Sequence, residues 1–166
     1  RQRQMCKETG DPTISVGGIL PAIGGNIRVG NSETFVTEAC EYTNSFLSFF
    51  PKISIILNMD ADHLDFFKDI DDIRHSFRRF AELLPADGTL IINADTPKYE
   101  DIIRDLPCNV ITYGLEHDAD YQAADITYDK YGHASFSVLR NGVKVGSYYL
   151  KVPGIHLFLY TSDAAD

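Results

Sequence analysis

Cysteine is scarce and oddly numbered: Cys6, Cys40 and Cys108 are the only three, and no two are spaced as CxxC. That spacing excludes a disulfide framework and a zinc ribbon, so reduced thiols in a cytosolic protein are expected. Positive charge is also short. Fifteen Lys and Arg face 24 Asp and Glu, a net charge of -9, which argues against a nucleic-acid or anionic-membrane surface. A nucleotide ligand is still allowed, because local backbone N–H groups, a lysine or Mg²⁺ can hold its phosphates. Long apolar runs are missing: Ile55–Leu57, with Ile53 nearby, is far too short to span a bilayer. The opening RQRQMCKETG has basic residues but no apolar stretch after them, so no secretory signal is expected. No GxxxxGK[ST] phosphate loop occurs in the chain, and no internal repeat or low-complexity segment is present.

What remains is the composition of an ordinary globular domain. The chain has 166 residues, 44% hydrophobic and 23% charged, enough for one domain with its own core. It is organised around Thr34–Asp65, TFVTEACEYTNSFLSFFPKISIILNMDADHLD. This stretch reads as two short buried strands, Phe35–Val36 and Ile53–Leu57, each ending in hard polar ligands. The first delivers Glu38 and Glu41, the second Asn58, Asp60, Asp62, His63 and Asp65. In an open α/β sheet, ligands bind beyond the carboxyl ends of the strands. If the two strands are parallel neighbours, Glu38 and His63 share one sheet edge, and the chemistry belongs there.

Elsewhere the pattern alternates strands and helices. Thr9-Gly10-Asp11-Pro12 marks a helix stop and turn, and Thr13–Val16 a short strand. Pro21–Gly30 reads as a glycine-rich loop carrying Asn26 and Arg28. Asp69–Leu84 is an amphipathic helix, with Ile73, Phe77, Phe80 and Leu84 on one face and acids in the first turn. Thr89–Asn93 and Cys108–Tyr113 are strands, with a helix from Thr96-Pro97 to about Asp105 between them. Such alternation indicates a mostly parallel, three-layer α/β sheet. After Gly114, alternating runs flank Asn141-Gly142, a type I′ turn signal, so a small antiparallel sheet is expected there, with Ile126–Tyr128 as a further strand.

Glu38 and Glu41 suit a hard cation such as Mg²⁺, which takes oxygen ligands and keeps several waters. They equally suit the first turn of a solvated helix, where the dipole favours acids. His63, flanked by acids in DADHLD, is a metal ligand, a phosphate contact or part of a loop network. His75 is expected on the surface, and His117 and His133 sit in turns without a partner pattern. Cys40 is a weak nucleophile candidate, and no Ser-His-Asp arrangement is visible.

Taken in order, DPTISVGGIL, GGNIRVG, VTEACEYTNSFL, ILNMDADHLDFF, IRHSFRRFAELLP and VPGIH closely resemble the central domain of the Mur ligases, from about Gly10 to His156. The resemblance implies an ATP-dependent amide-bond ligase of peptidoglycan precursor synthesis. Its carboxylate substrate is phosphorylated by ATP and then attacked by an amino acid's amine, with Mg²⁺ neutralising phosphate charge. The best match is the member whose substrates are UDP-N-acetylmuramate and L-alanine, acting in the cytoplasm. A sibling that recycles muramyl tripeptide and a non-catalytic α/β binding module are the alternatives. By resemblance Glu38 binds one Mg²⁺, His63 serves a second, and both are catalytic, while Arg28, Glu41 and Asn58 lie on the substrate side or just behind it. His156 stands beside the adenine. The resemblance also implies that residues 1–156 form part of a central ATP-binding domain. Residues 157–166 depart from the family pattern, with Leu157 where an asparagine is expected. The family's GTHGKT loop and its flanking domains are expected outside these residues, so the chain alone is expected to be inactive.

Overall fold

The computed structural model describes residues 10–153. His156, the tail from residue 157, Cys6 and the expected helix end before Gly10 lie outside the described residues. The chain divides into two compact units, one running through Cys40 and the other starting at Glu41.

The first unit is a three-stranded sheet in the order β2-β1-β3, built from β1 (Thr13–Leu20), β2 (Gly25–Arg28) and β3 (Phe35–Thr37). Ile14 and Val16 alternate inward on β1 and are buried. The expected short strand extends through Gly17-Gly18, and the glycine-rich segment after it forms a hairpin rather than a loop. Gly24 adopts φ 71° at the turn, and β2 returns antiparallel with Ser15 opposite Ile27. β3 joins the other side of β1 in parallel, Ile14 opposite Val36.

The second unit carries a six-stranded sheet in chain order, β4-β5-β6-β7-β8-β9. β4 (Ile53–Ile56), β5 (Thr89–Asn93) and β6 (Asn109–Gly114) are parallel, with Ile55 opposite Ile91 and Ile91 opposite Ile111. Parallel neighbours need a crossover, and helix α1 (Ile70–Ala81) and the short α2 (Glu100–Ile103) supply them. β7 (Tyr121–Tyr128) overlaps β6 only at Tyr113–Tyr121 and Gly114–Gln122, so a short loop suffices there. The antiparallel strands expected after Gly114 are present as β7, β8 (His133–Arg140) and β9 (Val143–Pro153), and they extend the parallel sheet itself. Asn141 and Gly142, at φ 49° and 76°, make the tight turn between β8 and β9, the left-handed pair a type I′ hairpin requires. The mixed α/β class expected from the pattern is thus realised, with one large and one small sheet.

One expectation about the organising stretch is corrected. β3 and β4 are not hydrogen-bonded neighbours: β3 pairs with β1, and β4 pairs with β5 in a different sheet. Nor are they fully buried. Ser54 and Ile56 face inward, but Ile53 and Ile55 are 65% and 55% exposed and Phe35 is 58% exposed. A strand of three or four residues at a sheet edge has one face and one row of backbone groups without a neighbour, whatever its hydrophobicity.

Helix α1 forms where the periodicity placed it. Asp69 caps it by accepting from the amides of Asp71 and Asp72 at 3.1 and 3.0 Å. Acids in its first turn and Arg78 and Arg79 in its last complement the dipole. The helix expected from Thr96 to Asp105 shrinks to one turn, because Lys98 takes a left-handed φ of 59° and only Glu100–Ile103 is helical. Arg78 ties the two helices together: its guanidinium donates to the carbonyls of Ile102, at 2.9 Å, and of Arg104.

Candidate functional site

In the first unit, β3 ends at Thr37 and Glu38 follows. The Glu38 amide donates to the Ser15 carbonyl at 3.0 Å, continuing the parallel ladder by one rung. Its carboxylate turns back over the sheet, where Oε2 accepts from the Gly17 amide at 2.7 Å. Arg28, at the end of β2, pairs with Asp11 and donates to the Pro12 carbonyl at 3.1 Å. Asn31 also donates to Asp11, through its amide at 3.0 Å and its side chain at 2.7 Å. The Arg28 guanidinium first, and Asn31 after it, hold the Asp11 carboxyl below its ordinary pKa. The contacts of Arg28 therefore staple the start of β1 to the end of β2.

In the second unit, the turn after β4 sets out Asn58, Asp60, Asp62, His63 and Asp65. Asn58 donates to Asp60 at 2.9 Å. His63 sits in the left-handed region, φ 52°, uncommon for a residue with a Cβ. Its amide donates to Asp62 Oδ1 at 2.6 Å, and its carbonyl accepts from the amides of Phe66 and Phe67, each at 2.9 Å. Its ring lies against residues from the segment just after Glu41, a 3-10 stretch over Tyr42–Ser48. Nε2 stands 3.5 Å from Glu41 Oε1, and Nδ1 is 3.9 Å from Asp62. The Tyr42 ring packs on the imidazole at 4.7 Å between centroids, tilted by 34°. The Tyr42 hydroxyl donates to Asp65 Oδ2 at 2.7 Å. That bond, and then the carboxylate's charge, push the phenol above its ordinary pKa, while the same bond holds Asp65 below the usual carboxylate value.

The segment carrying Glu41 and Tyr42 is anchored by Phe46, which is 1% exposed, stacked on Phe80 at 4.6 Å and edge-on to Phe77 at 5.4 Å. Ser76 of α1 donates to Asn44 in the same segment. Of the expected site residues, the structure brings Glu41 and His63 together, places Asn58 at the mouth of the same turn, and puts Glu38 and Arg28 in the first unit. His75 is exposed, as expected, and Cys40 is exposed while Cys108 is buried. Sequence reasoning passed over Tyr42. Its only signal was adjacency to Glu41, and an aromatic beside an acid reads as packing.

Two further histidines have partners that spacing did not reveal. His117 Nδ1 lies 3.0 Å from Asp95, which also accepts from the amides of Leu115, Glu116 and His117. Burial raises the Asp95 pKa, but these bonds outweigh it and leave the group below its ordinary value. His133 Nδ1 lies 3.0 Å from both Asp129 and the Tyr149 hydroxyl, so this cluster ties the β7–β8 turn to β9. Among the described residues no three His, Cys, Asp or Glu side chains converge as a metal cage. Mg²⁺ does not require one, since it is bound by one or two carboxylates with water and substrate phosphates. No described helix is long and apolar enough to cross a membrane.

The family model for the Mur ligase middle domain matches residues 20–159. A UDP-N-acetylmuramate--L-alanine ligase of Lachnospira eligens is 60% identical over 156 residues, 93% of this chain and 34% of the relative. A ligase of the same name from Caldanaerobacter subterraneus subsp. tengcongensis is 54% identical over 88% of this chain and 32% of its own length. The chain thus spans about a third of the length of the curated relatives it matches. Among solved structures, a UDP-N-acetylmuramate-alanine ligase from Thermotoga maritima superposes with a TM-score of 0.77 at 24% identity, covering 95% of this chain and 34% of that one. A UDP-N-acetylmuramate:L-alanyl-gamma-D-glutamyl-meso-diaminopimelate ligase from Neisseria meningitides also reaches 0.77 at 24% identity, covering 93% of this chain and 52% of that one.

Proposed function

The chain belongs to the Mur ligase family, and we propose that it is the middle part of an ATP-dependent ligase that joins L-alanine to UDP-N-acetylmuramate. The observation that carries this reading is His63 at the carboxyl end of β4, its ring held between Glu41 and Tyr42. The identity with alanine ligases over nearly the whole chain supports the choice of amino acid.

In this reading Glu38 offers a donor to one Mg²⁺ and His63 to a second. The donor chemistry fits: an acidic oxygen at one strand end and an imidazole at another, each already tethered by a backbone N–H or a neighbouring carboxylate. When bound, the cation supplies charge neutralisation at the transferred phosphate. The chain's own part is orientation. Gly17 fixes the Glu38 carboxylate, and Glu41 lies 3.5 Å behind the imidazole, where partners behind a metal ligand stand. Asn58 and Arg28 belong to the substrate side or just behind it, Arg28 through its hold on Asp11 and the Pro12 carbonyl, and His156 belongs to the adenine. The equal fold similarity to the muramyl-peptide type supports a second reading, a ligase for the tripeptide rather than for alanine.

The test is Mg²⁺-dependent ligation by a chain extended to the length of its relatives, given UDP-N-acetylmuramate, ATP and L-alanine, with glycine and the tripeptide as competitors. Glu38→Ala and His63→Ala are each expected to lose more than about 100-fold in turnover, beyond what loss of an outer partner costs. Normal turnover by both variants refutes the metal assignment. Preferential use of the tripeptide refutes the alanine assignment.

A further inference from the structure

The backbone of His63 is pinned on three sides, by Asp62 at its amide and by Phe66 and Phe67 at its carbonyl. That fixes the direction of the Cα–Cβ bond but not the two side-chain torsions, which decide where the ring nitrogens point. Glu41 at 3.5 Å is beyond a short hydrogen bond, and Asp62 at 3.9 Å is further still. The close neighbour of the ring's face is Tyr42. Tyr42 is in turn fastened by its hydroxyl to Asp65, two residues beyond His63 on the same turn, and edge-on to Phe66 at 6.1 Å. The contacts close a circuit: turn, His63 ring, Tyr42 ring, Asp65, turn.

From this circuit we infer that Tyr42 and Asp65 are positioning residues, setting the plane of the His63 imidazole for the cation without touching substrate. The inference rests on the reading of His63 given above. Tyr42 is 37% exposed, so its ring is covered mainly where it meets His63 and Phe66, while its bond to Asp65 is exposed. What the contact supplies is a fixed wall beside an otherwise rotatable imidazole.

The experiment compares Tyr42→Phe, Tyr42→Leu, Asp65→Asn and His63→Ala by two readouts. The first is ¹⁵N–¹H NMR of the His63 imidazole in the chain itself. The second is the separation of kcat from KM in the extended ligase. Tyr42→Leu is expected to remove the ring-current shift from the His63 ring protons and to lower kcat by about 10- to 100-fold, with KM for the nucleotide sugar unchanged. Tyr42→Phe keeps the wall and loses the tether, so it falls between Leu and wild type; Asp65→Asn keeps an acceptor oxygen for the hydroxyl but loses its charge, so it falls between Phe and wild type. Wild-type imidazole signals and kcat within about two-fold in both Tyr42→Phe and Asp65→Asn, beside an inactive His63→Ala, overturn the inference while leaving the functional reading intact. An active His63→Ala overturns both. If Tyr42→Leu fails to fold, the Phe and Asn variants decide the matter alone.

Discussion

Replacing Phe46 tests how the second unit's core holds the segment that carries Glu41 and Tyr42. The ring is 1% exposed, stacked on Phe80 and edge-on to Phe77. Truncation to alanine leaves a ring-sized cavity, and such changes cost about 3–5 kcal/mol. Leucine refills most of that volume but loses both ring pairs, each worth about 0.5–1.5 kcal/mol, so Phe46→Leu is expected to cost about 1–3 kcal/mol. Domains of this kind have about 5–15 kcal/mol in all, so the alanine variant gives up a large share. At about 2–4 °C per kcal/mol for a chain of this size, its Tm falls by about 6–20 °C. With no tryptophan in the chain, urea titration followed by far-UV circular dichroism is the direct assay. The midpoint is expected to fall in the order wild type, Leu, Ala, with an unchanged slope. A loss under about 1 kcal/mol in Phe46→Ala refutes the packing argument, since it means that the ring's neighbours collapse into the space or never held it.

Three other perturbations probe separate parts of the molecule. Arg78→Met removes charged donors from the Ile102 and Arg104 carbonyls; about 1.5–3 kcal/mol is expected, with faster amide exchange at Arg104, whose N–H closes α2. Gly30→Ala drives a Cβ into the Asp11 and Pro12 carbonyls, so the hairpin must shift, at about 1–3 kcal/mol, and the Arg28–Asp11 pairing is lost from crystal structures of the variant. Asp129 tests pH: burial pushes its carboxyl up, but bonds from the His133 and Tyr131 amides and the His133 ring outweigh it and leave the pKa at about 2, down from 3.8. Because the folded value is the lower one, the stabilisation is complete above about 4 and lost as pH falls toward about 2. Asp129→Asn is therefore expected to flatten the acid limb of the His133 and Tyr131 amide shifts across that window, and an unchanged limb rules out the clamp.

Patterns with a local cause were legible in the sequence. Helix α1 followed from a 3.6-residue apolar period with an acid cap, and the β8–β9 turn followed from Asn141-Gly142, because each is decided within a few residues. The β1–β2 hairpin was hidden because Pro21–Gly30 has turn residues throughout, and the return strand shows only once Ser15 pairs with Ile27. The second helix was overread because nothing in TPKYEDIIRD marks Lys98 for a left-handed φ. Strand partnership was the least legible part. Phe35–Thr37 and Ile53–Ile56 look alike as apolar runs, yet pairing depends on partners elsewhere in the chain, and each found its own. At the site, Glu38, Glu41 and His63 stood out by residue type, whereas Tyr42, which packs on His63, became visible only through its distance to that ring.

In the six-stranded sheet each strand lies beside the one made just before it, from β4 to β9. Among the described residues no strand is inserted between two earlier ones, so each of these strands can dock on the one made just before it. Each new strand finds its docking edge already waiting. The growing end always exposes one fresh edge, and synthesis itself covers it. Neighbour order in this sheet is thus the order of synthesis, from β4 to β9.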